Sequence, residues 1–140
     1  MILVDSSALY AAVVRSQSAH EAVRRVIEAE EGPYVLSPFV LAEVDYLLTD
    51  REGVDAELAL LTEIETGAYE LASFNSRDVG EARQLIQRYR DLEIGLADAS
   101  LVGLAGRLGT DHILTLDERH FRVLRTPSGR PFTLLPADAT

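Results

Sequence analysis

The chain has no cysteine, no tryptophan and no lysine among its 140 residues. Without cysteine it can form neither disulfides nor thiolate metal sites. The lack of disulfides suits a reducing compartment. Without lysine it lacks the ammonium that a phospho-receiver domain sets at a late strand end. No apolar run approaches the roughly 20 residues of a membrane helix. No basic N-terminal region leads into an apolar stretch and cleavage site, so a signal peptide is not expected. The expectation is a cytoplasmic protein that contacts no membrane.

What is present is an excess of acid. The net charge is −10, and all 13 basic residues are arginine. Such a chain repels nucleic acid over most of its surface. Acids that hold cations behave differently, because a bound metal inverts the local field. An enzyme that meets phosphates through metal ions therefore stays open. Apolar content of 47% excludes a disordered chain, and the length fits a single domain over residues 1–140.

Short apolar runs alternate with longer amphipathic stretches. Strands are expected at 2–4, 34–37, 69–73, 112–116 and 132–136. Helices are expected at 7–14, over "SAHEAVRRVIEAEE" with Ser18 and Glu21 as a capping box, from Pro38 to Arg51, over 55–67, over "SRDVGEARQLIQRYRD", and over "LADASLVGLAGRLG". This alternation predicts an α/β fold with a mostly parallel central sheet flanked by helices. Sites in such sheets form beyond the strand C-terminal ends, where the strand order reverses.

Four carboxylates interrupt apolar stretches near those ends. "ILVD" delivers Asp5, and "ILTLD" delivers Asp117. Glu43 sits in "FVLAEVDYLL", little more than a helical turn after the second strand. Asp98 sits in "IGLADASLVGLA", near a helix start. Packed together, such acids raise one another's pKa and suffer desolvation. A hard divalent cation, Mg²⁺ or Mn²⁺, removes that conflict. One or two such ions activate water and steady an in-line phosphoryl displacement. Each acid also has a plainer reading: Asp5, Asp98 and Asp117 as helix-terminal caps, Glu43 as a solvated side chain.

Other polar residues carry less. Asp45 points about 200° around the helix from Glu43 and reads as solvated or paired. His20 reads as surface. His112 and His120 have no second histidine at ligand spacing, so a zinc site is not expected. Arg83, Arg88 and Arg90 form either a solvated helix face or a phosphate-backbone contact. Tyr89 and Phe121 are aromatic candidates for a stacking contact. An aspartate-nucleophile phosphatase is excluded, because that chemistry wants an acid two residues on and Ser7 stands there.

The blocks "ILVDSSALYA", "SPFVLAEVDYLL", "IGLADASLVGLA" and "ILTLDERHF", in this order and spacing, resemble the PIN domains, specifically the VapC-type toxins of bacterial toxin–antitoxin pairs. The resemblance covers nearly the whole chain. It implies a metal-dependent endoribonuclease whose acids are Asp5, Glu43, Asp98 and Asp117, catalytic and metal-holding. It also implies supporting hydroxyls at Ser6 or Ser7 and at Thr115. Further implications are an RNA substrate, a homodimer, and silencing by a cognate VapB-type antitoxin. The alternative is a PIN-fold RNA- or protein-binding module without catalysis.

Overall fold

A computed structural model describes residues 1–140. Its elements run β1 (Ile2–Val4), α1 (Ser6–Val13), α2 (His20–Ala29), β2 (Tyr34–Leu36), α3 (Pro38–Arg51), α4 (Val54–Glu65) and β3 (Glu70–Leu71). Then follow α5 (Ser76–Arg88), a 3₁₀ turn (Arg90–Leu92), α6 (Leu96–Leu108), β4 (His112–Leu114), α7 (Glu118–Phe121) and β5 (Thr133–Leu135).

All five strands are parallel, in the order β3-β2-β1-β4-β5. The expected α/β architecture is what forms. β1, β2 and the inner residues of β4 and β5 are buried on both faces, which is why they read as unbroken apolar runs. The chain winds outward from β1 through β2 to β3, then returns to lay β4 on the other side of β1. The order therefore reverses between β1 and β4, and a crevice opens beyond their C-terminal ends.

Local chemistry sets the helix starts. Ser37 caps α3 by accepting from the Phe39 N–H at 3.1 Å, and Pro38 fills the first turn, where no N–H is needed. Val40, Val44 and Leu48 then recur at a spacing of four and bury one stripe of α3 in the core. In α5 the reciprocal cap is Asn75 with Asp78, at 3.1 and 2.9 Å. The box expected at Ser18 does not form. α2 begins at His20, with Ala19 at the N-cap position and no side-chain cap. The His20 ring instead turns inward, its Nδ1 2.7 Å from the Ala11 carbonyl oxygen.

α5 and α6 lie antiparallel. Arg107, in the last turn of α6, pairs with Asp78 in the first turn of α5 at 3.2 Å. The end of α5 is thereby brought to the start of α6. Phe121 is core, not an RNA contact: it is fully buried, edge-on to Phe132 with ring centroids 5.9 Å apart. No helix is long and apolar enough to cross a membrane.

Candidate active site

The backbone brings Asp5 to the crevice. Its N–H donates to the Leu114 carbonyl at 3.0 Å, which extends the β1–β4 ladder by one residue. The Thr115 N–H donates to Leu135 at 2.9 Å and fixes the end of β4 against β5. Asp5 Oδ2 then accepts from Thr115 Oγ1 at 2.7 Å and from Ser7 Oγ at 2.8 Å. Both hydroxyls also reach onward. Thr115 Oγ1 accepts the Asp117 N–H at 3.0 Å, and Ser7 Oγ accepts the Leu116 N–H at 3.0 Å. Two hydroxyls thus tie the first acid to the segment that presents the last.

Asp5 is only 4% exposed. Burial raises its pKa, the two hydroxyls and the Ser6 N–H pull it back, and the charge of Asp117 adds to the rise.

Asp98 stands in the first turn of α6. Desolvation, then repulsion from Asp5, pushes its pKa up to about 6 despite the opposing contact with His120. Asp117 caps α7 by accepting the His120 N–H at Oδ1, 3.0 Å away. The His120 ring lies between the two acids, with Nδ1 2.9 Å from Asp98 Oδ2 and 3.0 Å from Asp117 Oδ2. Ligand atoms of Asp98, Asp117 and His120 all fall within 4.8 Å of one another.

His120 was not legible as part of this group. A search for paired histidines passes over it, because its partners are carboxylates. The available signal was Asp117 and His120 three apart on one helical turn.

Glu43 is exposed on α3, and its side chain makes no hydrogen bond or ion pair within the chain. Asp45 faces Glu57 of α4, and the proximity of the two carboxyls raises the Glu57 pKa.

Two further hydroxyls are buried close in sequence to the site acids. Ser6 Oγ is buried without a partner. Ser100, two residues after Asp98, is fully buried, its Oγ 2.7 Å from Ser37 Oγ and 2.6 Å from the Ala97 carbonyl oxygen. These contacts lock the first turn of α6 to the start of α3.

The donor set fits a hard divalent cation. It is mostly carboxylate oxygen, and two of its acids have raised pKa values that a cation would bring down. An unpaired buried hydroxyl next to Asp5 adds a donor with nothing in the protein to bind.

Comparison with known proteins gives a consistent picture. The family model for the PIN domain matches residues 2–125. Ribonuclease VapC26 of Mycobacterium tuberculosis (strain ATCC 25618 / H37Rv) is 44% identical over 135 residues, spanning 96% of this chain and 100% of that protein. The crystal structure of VapC20 from Mycobacterium tuberculosis, a sarcin-ricin loop cleaving toxin, superposes with a TM-score of 0.76 at 20% identity, covering 81% of this chain and 87% of that one. A toxin–antitoxin complex from Klebsiella pneumoniae gives 0.69 at 14% identity, covering 89% and 92%. At such identities the two structures speak to the fold alone.

Proposed function

The chain is a member of the PIN-domain family, and from that premise we propose that it is a divalent-metal-dependent endoribonuclease, the toxin of a type II toxin–antitoxin pair. The observation that carries the reading is the convergence of Asp98 and Asp117 beside a buried Asp5 at the β1–β4 switch point. A relative 44% identical over nearly the full length of both chains is named a ribonuclease.

Asp5, Asp98 and Asp117 would hold one or two Mg²⁺ or Mn²⁺ ions, with Glu43 joining directly or through water. Such an ion supplies Lewis acidity, which eases deprotonation of water and offsets phosphoryl charge. Thr115 and Ser7 fix the Asp5 carboxylate in one orientation. The Ser6 hydroxyl, next to Asp5 in sequence, is buried without a partner. The reaction is hydrolysis: a water oxygen bonds to phosphorus in line, and the bond to the 3′ oxygen breaks. The products carry a 5′-phosphate and a 3′-hydroxyl, and no covalent enzyme intermediate forms.

A cognate VapB-type antitoxin and a homodimer complete the proposal. The Klebsiella neighbour was solved as a toxin–antitoxin complex.

The test is RNA cleavage by the purified protein in Mg²⁺ or Mn²⁺ and in EDTA, beside Asp5→Asn and Asp98→Asn. Cutting that needs metal and that both substitutions abolish supports the reading. Cutting that survives both places the activity elsewhere. A protein that binds RNA but never cuts is the non-catalytic module instead.

A further inference from the structure

The arginines at the end of α5 remain unexplained by the site just described. Arg107, Arg122 and Arg130 are each paired with a carboxylate, whereas Arg83, Arg88 and Arg90 are paired with none. These three exposed cations stand close together in sequence, on a chain with a net charge of −10.

They line two adjoining surface cavities. The larger, of about 670 Å³, is bounded by Arg88, Tyr89, Arg90 and Leu92 on one side and by Val123 on the other. The smaller, of about 360 Å³, includes Arg83 and shares Gln87 and Arg90 with the first. Together they form one groove with aromatic and aliphatic walls. Asp91 and Glu93 also border it, so its electropositivity comes from three cations against two acids.

The groove lies at the active-site end of the molecule. The antiparallel packing of α5 on α6 brings residues 88–92 to the α6 terminus that carries Asp98. Across the groove, the Val123 N–H donates to the His120 carbonyl at 3.1 Å, so that wall is continuous with α7. Both walls run directly into segments bearing the site acids.

We propose that this groove is the track for the RNA strand flanking the scissile phosphate, with Arg88 and Arg90 holding successive phosphates and Tyr89 offering a face to a base. Single-stranded RNA is the ligand this chemistry suits: spaced guanidinium groups follow a flexible backbone, and an aromatic ring stacks on any base. In an acidic protein, such a local track gives purchase that the general surface denies. The inference rests on the ribonuclease reading for its role, though binding is measurable without turnover.

The test compares Arg88→Gln/Arg90→Gln with Arg15→Gln/Arg25→Gln, which removes two exposed charges elsewhere. The probe is a fluorescein-labelled, randomised single-stranded RNA of about 20 nucleotides. Its Kd is measured by anisotropy over a salt series, in an Asp98→Asn background. The groove pair is expected to weaken binding about tenfold or more and to reduce the slope of log K against log salt by about 1.4. The control pair should change neither. In the active protein, the groove pair should raise KM and leave kcat within about twofold.

Equal Kd values and slopes for the two pairs would overturn the groove, whatever the cleavage result. Groove-dependent binding by a protein that never cuts would overturn the ribonuclease reading alone. Absence of RNA binding in both backgrounds would overturn both.

Discussion

Thr115 Oγ1 donates to Asp5 Oδ2 at 2.7 Å across 110 residues of sequence, and the same oxygen accepts the Asp117 N–H. One hydroxyl therefore orients two acids. Thr115→Val keeps the shape but removes one of the two hydroxyls that donate to Asp5 and leaves the Asp117 N–H without an acceptor. A loss of about 1–3 kcal/mol in stability is expected, read by chemical denaturation. RNA cleavage should fall with it, and Thr115→Ser should restore both.

The raised pKa of Asp98 makes a prediction about acid. The folded protein holds a proton on Asp98 up to about pH 6, whereas the unfolded chain releases it near 3.8. Between those values the folded state binds more protons, so the metal-free protein gains stability as pH falls from 7 toward 4. One pKa unit corresponds to about 1.4 kcal/mol, and partial solvent contact reduces the effect, giving a gain of about 1–2 kcal/mol. Thermal melts in EDTA at pH 7 and pH 5 read it directly. Asp98→Asn should flatten the difference.

Metal binding must run the other way. Binding requires ionised Asp98, so apparent Mn²⁺ affinity should fall about tenfold per pH unit below 6. Titration calorimetry at pH 7.5, 6 and 5 would show it. An affinity independent of pH would remove Asp98 from the ligand set.

His120 lowers the Asp98 pKa through its hydrogen bond and its charge. His120→Ala should therefore move the Asp98 titration above its value near 6 in the metal-free protein. Carboxyl carbon chemical shifts followed by NMR provide the measurement. An unchanged or lower midpoint would mean that the ring does not face Asp98 in solution.

Glu43 is exposed on α3 and is not one of the three residues whose ligand atoms converge, which predicts a graded result. Glu43→Gln should weaken metal binding less than Asp5→Asn, Asp98→Asn or Asp117→Asn does, with calorimetry ranking the four.

The strands, their parallel arrangement and the meeting of Asp5, Asp98 and Asp117 at one end of the sheet were legible because each rests on a local signal. An unbroken apolar run marks a strand buried on both faces: Asp5 follows β1 directly, Asp117 follows β4 after two residues, and Asp98 opens a helix of small and apolar residues. Helix α3 was equally plain, since Ser37, Pro38 and the Val40–Val44–Leu48 stripe agree. What failed depended on partners distant in sequence. Ser18 looked like a cap, but the His20 contact with Ala11 starts the helix later. Phe121 looked available until the packing of β5 placed Phe132 against it. The place of His120 between Asp98 and Asp117 follows from how α7 sits against α6, which no local spacing encodes.

β1 is the middle strand of the sheet and the first to be made. During synthesis, its β4 flank stays bare until more than a hundred further residues have been joined. Throughout that time, Asp5 has neither Thr115 nor Asp117 beside it. No nascent chain that stops short of Asp117 contains the assembled centre. Under the proposed ribonuclease reading, a fragment that ends before Asp117 is therefore expected to leave RNA uncut.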